Sequence, residues 1–101
     1  MIEHINDKGL FESFIKEGTV LVDFFATWCG PCKMLSPVIE QLAKNHPELK
    51  VVKVDVDEAP EIAANYGIQA IPTLFLFKDG KMVNKGMGYL NINQLENFIN
   101  K

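Results

Sequence analysis

The segment Thr19–Phe25 (TVLVDFF) constrains the fold most. Its residues are β-branched or aromatic at both odd and even positions, so a strand there is apolar on both faces. Such a strand needs a cover on each side, which an α/β layer arrangement supplies. The cover on one side is legible downstream. Leu35, Val38, Ile39, Leu42 and Ala43 recur at i, i+3, i+4, i+7 and i+8, the stripe of an amphipathic helix. Pro37 lies inside that helix and is expected to kink it, and His46-Pro47 ends it. Around this pair the same alternation continues. Ile2–Ile5 reads as a first strand, followed by a helix capped by Asn6 or Asp7 and stopped by Gly18. Val51–Val56 is a strand, and Ala59–Tyr66 a short helix with Pro60 in its first turn and Gly67 past its end. Thr73–Lys78 and Lys81–Met87 flank Asp79-Gly80, a strong hairpin signal. Asn91–Asn100 closes the chain as a helix, with Asn91 and Gln94 as a capping pair. The order β-α-β-α-β-α-β-β-α predicts a central mixed five-stranded sheet flanked by four helices on both faces.

Length and charge narrow the function. The 101 residues carry no linker or repeat, so residues 1–101 read as a single domain. Ten basic against thirteen acidic residues give a net charge of -3, and no Lys/Arg cluster is present to displace counterions from phosphate. No nucleic acid is expected as a partner. Asp23 interrupts the best apolar run, so no membrane span is expected either. The start, Met1-Ile2-Glu3-His4, lacks a basic and an apolar leader region, which makes the cytoplasm the expected location. Structural disulfides are rare there.

The two cysteines, Cys29 and Cys32, are separated by Gly30-Pro31. A bond between them closes so short a loop that its entropic stabilisation is only about 2 kcal/mol. The pair is poorly placed to staple the fold and well placed to react. Cys29 falls between the second strand and the long helix, which Gly30 and Pro31 open. Unpaired backbone N–H groups and the positive end of the helix dipole then face its sulfur, and both favour the thiolate. Cys32 lies one turn into the helix, within reach of Cys29 and more shielded. Cys29 is therefore the candidate nucleophile toward a substrate disulfide, and Cys32 the resolving thiol.

A Cys-x-x-Cys beside a βαβ pattern is by general rule a thioredoxin-like redox motif. Trp28-Cys29-Gly30-Pro31-Cys32-Lys33 after a buried strand resembles the active site of the thioredoxin family. Val22-Asp23-Phe24, Ala26, Pro37, Lys53-Val54-Asp55-Val56-Asp57, Ile71-Pro72-Thr73, Phe77-Lys78-Asp79-Gly80 and Gly88 extend the resemblance over essentially the whole chain. The resemblance implies a thioredoxin fold and a protein-disulfide reductase, an electron carrier cycling between dithiol and disulfide. It implies no bound cofactor beyond the redox-active Cys29–Cys32 pair. Its implied partners are disulfide-containing target proteins and an NADPH-dependent flavoprotein thioredoxin reductase as electron donor. A monomer is the default.

The resemblance also distributes roles. Asp23, the odd residue in an apolar strand, is implied to assist proton removal from Cys32; the plainer alternative is a buried carboxylate held by local hydrogen bonds. Lys53 is implied to pair with Asp23, against the alternative of a charge at a strand end. Ile71-Pro72 is implied to be a cis bond presenting the Ile71 backbone to an extended substrate, although proline also suits the first position of a strand. Trp28, Ile71, Pro72 and Gly88, with Gly30 and Ala70, are implied to form the docking surface, against the alternative of a solely structural role for Trp28. Pro31 and Gly30 tune the redox balance. Lys33 reads as a solvated lysine, and His4 and His46 as surface residues without a role. Three positions depart from the family: Phe25 where a second tryptophan is common, Tyr89 where a small residue follows Gly88, and Gly86, expected to loosen the last strand near the docking rim.

Three other functions compete. A disulfide oxidant or isomerase on the same fold is disfavoured by Gly-Pro between the cysteines, the buried Asp23 and the expected location. A zinc module needs more ligands than two cysteines supply, and neither histidine has finger spacing, so a second chain would be required. A non-catalytic interaction subunit would keep the fold without using the thiols.

Overall fold

The structure is a computed structural model and describes residues 2–101. Nine elements follow in order: β1 (Ile2–His4), α1 (Lys8–Phe14), β2 (Thr19–Phe25), α2 (Gly30–Asn45) and β3 (Lys50–Asp55), then α3 (Pro60–Asn65), β4 (Thr73–Lys78), β5 (Lys81–Met87) and α4 (Ile92–Phe98). The five strands form one sheet in the order β1-β3-β2-β4-β5. β3 pairs parallel with β1 and β2, while β4 runs antiparallel to both β2 and β5. The predicted mixed sheet is the observed one.

Alternation along β2 explains the two layers. Val20, Val22 and Phe24 face a core completed by Phe11 and Ile15 from the α1 region and Ile62 of α3. Leu21 faces the opposite core, with Leu35, Ile39 and Leu42 of α2 and Leu95 and Phe98 of α4. Period-two geometry puts Asp23 on the α2 side, between Leu21 and Phe25. In the parallel register Asp23 stands opposite Lys53, so both charged side chains enter the same layer.

Local chemistry sets the element ends. Asp7 caps α1 by accepting the Leu10 N–H at 2.8 Å. Asn91 and Gln94 form the reciprocal capping box of α4. α2 continues through Pro37 to Asn45, so the proline removes a backbone donor without ending the helix. At the β4–β5 turn Asp79 and Gly80 both have positive φ, 50° and 86°. That is the requirement of a type I′ hairpin turn, which Asp-Gly meets at low cost.

Two expectations change. Leu10, Phe11, Phe14 and Ile15 recur at helical spacing and predict one apolar stripe along α1, but Leu10 is 54% exposed and Phe11 carries the burial instead. Gly86 does not loosen β5. It pairs with Leu74, and a Cβ there would lie 3.1 Å from Cε1 of Phe98. The missing side chain lets the α4 phenylalanine settle on the strand, so Gly86 is a packing contact within the sheet–α4 layer.

Candidate active site

The carboxyl end of β2 runs directly into α2 through Ala26–Cys29. Cys29 is the N-cap residue of α2, with extended backbone (φ -86°, ψ 113°), and its Sγ accepts the Cys32 N–H at 3.3 Å. A sulfur thus occupies the place where a serine or aspartate oxygen usually caps a helix. The same donor and the helix dipole stabilise negative charge there whenever the bond between the sulfurs is open. Pro31 lies within the first two helical positions, where its missing N–H leaves no partner stranded. The Cys29 N–H donates to Ala26 O at 3.2 Å, and the Lys33 N–H to Cys29 O at 3.1 Å, which tie the loop to both elements.

Cys29 and Cys32 are joined as a disulfide, with Cα atoms 5.3 Å apart. The predicted contrast in exposure is slight in this oxidised form, 6% for Cys29 and 4% for Cys32. Each sulfur shields the other, and Ala26, Phe25, Val56 and Ile71 pack around the pair. The neighbours Trp28, Gly30 and Pro31 are exposed, so the pair lies immediately beneath the surface. The surroundings of the two sulfurs differ more than their exposure. Cys29 Sγ lies 3.9 Å from the Ile71 carbonyl oxygen. Cys32 instead borders a cleft of about 240 Å³, shared with Phe25, Lys33, Ser36 and Lys53.

The Ile71-Pro72 bond is cis, as the resemblance implied. The Gly88 N–H donates to Pro72 O at 2.9 Å, which brings Gly88, at φ 89°, alongside the Ile71-Pro72 segment. Trp28 is 68% exposed, yet its indole is fixed: Nε1 donates to Asp57 Oδ2 at 2.8 Å. Ala70 and Tyr89 are exposed nearby in sequence, and Pro72 is buried.

Behind the disulfide, Asp23 is fully buried. Neither of its carboxyl oxygens has a hydrogen-bond partner among the described residues. Lys53 Nζ approaches Oδ2 at 3.7 Å, an ion-pair distance beyond hydrogen-bond range. Burial pushes the Asp23 carboxyl up from 3.8 to about 6, and the charge of Lys53 pulls it partly back. Lys53 is not a strand-end charge. Its ammonium donates to Ser36 Oγ at 3.0 Å and lies 4.9 Å from the Phe25 ring centroid. Phe25 therefore serves as a wall of the cleft and a cation–π partner.

Two residues of this cluster were given no role from the sequence. Ser36 stands four positions after Cys32, on the same helix face, and that spacing was the available signal. Asp57 lies two residues beyond the Phe25–Asp55 pairing, so the parallel register carries it to the carboxyl end of β2. His46, read as having no role, is an anchor between helices. Its Nε2 lies 2.5 Å from Oε1 of Glu96, joining the end of α2 to α4. Among the described residues no group of three or more His, Cys, Asp or Glu side chains is arranged to hold a metal. No helix there is long and apolar enough to cross a membrane.

A vicinal dithiol pair capping a helix at the carboxyl end of a mixed sheet, with a buried carboxyl behind it, defines the class of thiol–disulfide oxidoreductases. Known proteins agree over the full length. The family model described as Thioredoxin matches residues 2–101. Thioredoxin of Listeria monocytogenes is 47% identical over 102 residues, covering 100% of this chain and 98% of its own. Thioredoxin of Chlamydia muridarum is 50% identical over 101 residues, with the same coverages of 100% and 98%. Among solved structures, oxidised mitochondrial thioredoxin 3 from Saccharomyces cerevisiae superposes with a TM-score of 0.89 at 40% identity, covering 97% of this chain and 92% of that one. The chain belongs to the thioredoxin family, and its activity is that of a thioredoxin-type protein-disulfide reductase.

Proposed function

We propose that Cys29 is the nucleophile of this reductase, Cys32 the resolving thiol and Asp23 the group that takes the Cys32 proton. The Cys29 thiolate attacks a target disulfide, forming a mixed disulfide and releasing one target thiolate. Asp23 accepts the Cys32 proton, directly or through water. The Cys32 thiolate attacks Cys29 Sγ, the second target thiolate leaves, and the Cys29–Cys32 disulfide forms. Two electrons pass to the target, and no bound cofactor takes part. Lys53 moderates the basicity of Asp23, and Gly30 and Pro31 set the spacing and stiffness of the dithiol. Trp28, Ile71 and Gly88 form the surface on which an extended segment of the target lies, with the Ile71 backbone as its pairing edge; Pro72, expected in that surface, is buried and contributes through its cis bond, which turns the Ile71 backbone outward.

The observation that carries the assignment is the asymmetry between the sulfurs. Cys29 Sγ caps the helix and lies beside Ile71 O, while Cys32 borders the cleft of Ser36 and Lys53. The proposed setting is the cytoplasm, with residues 1–101 acting as one monomeric domain. Re-reduction falls to an NADPH-dependent flavoprotein thioredoxin reductase, and electrons flow on to disulfide-bearing target proteins. Cys29→Ser is expected to abolish reduction of a protein disulfide such as insulin. Cys32→Ser is expected to accumulate covalent target adducts on Cys29, detected by mass spectrometry. Adducts that form on Cys32 in the Cys29→Ser protein, and not in the other variant, would reverse the roles.

A further inference from the structure

Ser36 has no place in the reaction as described, yet it holds the charge that most affects Asp23. The Lys53 ammonium has two oxygens within reach, and it chooses the neutral one: Ser36 Oγ at 3.0 Å against Asp23 Oδ2 at 3.7 Å. The choice leaves a fully buried carboxyl without any donor among the described residues. We propose that Ser36 is a positioning residue for the resolving step, its hydroxyl oxygen holding the Lys53 ammonium back so that the Asp23 carboxyl carries no hydrogen bond from it. The proposal rests on the reading of Asp23 as the proton acceptor for Cys32.

The surroundings leave few alternatives. Lys53 enters between β2 and α2 with its side chain 11% exposed. On the α2 side it shares a cleft with Cys32, Lys33 and Ser36. On the β1 side it borders a smaller cavity of about 70 Å³ with His4, Asn6, Asp55 and Glu58. Across the sheet from β4, Asp23 faces Leu74, which contributes no charge. The titratable and charged groups around the pair are thus Cys32 and Lys33 from α2, His4 from β1, and Asp55 and Glu58 from β3 and the turn after it. Without the Ser36 oxygen, the carboxylate within ion-pair distance of the ammonium is Asp23. An ammonium that closes from ion-pair to hydrogen-bond distance favours the carboxylate twice, through its charge and through the bond. Asp23 would then titrate at lower pH and become a weaker base for the Cys32 thiol.

The test compares the native protein with Ser36→Ala and Ser36→Thr. Alanine is tolerated in a helix interior, and threonine keeps the oxygen. The Asp23 carboxyl carbon is titrated by NMR in the oxidised form, with no turnover involved. Separately, the rate at which Cys32 closes a mixed disulfide on Cys29 is followed against pH. Ser36→Ala is expected to move the Asp23 midpoint down by about 0.5–1 pH unit and to shift the acid limb of the rate profile the same way. Ser36→Thr is expected to restore both. An Asp23 midpoint that stays put or rises in Ser36→Ala overturns the positioning role. A midpoint that falls while the rate profile is unmoved supports the hold of Ser36 on Lys53 but overturns Asp23 as proton acceptor and with it the part of Ser36 in the resolving step, so the two failures read out separately.

Discussion

Asp23, the proposed proton acceptor for Cys32, sets that role against stability in one side chain. Its folded value of about 6 stands above its ordinary 3.8, the reverse of a surface carboxylate in an ion pair. Between those values the folded state holds the proton more tightly than the unfolded state, so stability falls as pH rises through that window. Above it, the buried charge costs on the order of 2–3 kcal/mol. Asp23→Asn is therefore expected to raise the denaturation midpoint at pH 7, by the equivalent of about 2 kcal/mol, with the gain vanishing below about pH 4. The same variant is expected to slow closure of the mixed disulfide by about tenfold or more at neutral pH. A variant that is no more stable and resolves as fast as the native protein would remove both the cost and the role. Gly88 is constrained by its backbone alone. Its φ of 89° lies where a Cβ is strained, although nothing else lies within 4 Å of one. Gly88→Ala is expected to cost about 1 kcal/mol in chemical denaturation through backbone strain alone.

At the level of elements, α2 does two jobs at its two ends. Its first turn presents Cys29 to the backbone donors, and its last is tied to α4 by His46 and Glu96. The Glu96 hydrogen bond is the main reason that His46 titrates above its ordinary value, and the same bond holds Glu96 below its own. The signs set the window. The histidine's contribution is complete below 6.5 and is lost as pH rises through its folded value; the glutamate's is complete above 4.5 and is lost as pH falls through its own. The clamp is therefore strongest between those two values. Glu96→Gln is expected to lower the thermal midpoint at pH 5.5–6 and to have a smaller effect at pH 9, because the histidine's contribution is lost as pH rises. An equal loss at both values would show that packing, and not the charge pair, joins the helices.

Across the whole molecule, what could be read in advance is what short-range chemistry determines. β2, β4 and β5 fall at their expected residues because runs of strand formers end there at turn residues: Asp79-Gly80 between β4 and β5, and the Cys29-Gly30-Pro31 helix start after β2. The helix ends were less legible: α1 stops at Phe14, short of the expected stop at Gly18, α3 is one residue shorter at each end, and α4 ends at Phe98 rather than Asn100. The cysteines, Asp23 and the Ile71-Pro72 segment stood out through local pattern and family resemblance. Ser36, Asp57 and the His46–Glu96 pair did not, because each acquires its partner only through tertiary packing, 17, 29 and 50 residues away in sequence. The packing role of Gly86 was hidden for the same reason, since it depends on where Phe98 lands. All of these features serve a sheet that carries one sulfur to the head of α2. The direct test is titration of the reduced protein's thiols by the ultraviolet absorbance of thiolate, with Cys32→Ser isolating Cys29. Cys29 is expected to ionise well below the ordinary thiol value of about 8.5, in step with the pH dependence of target reduction; ionisation at or above that value would show that its seat at the head of α2 does not prime it.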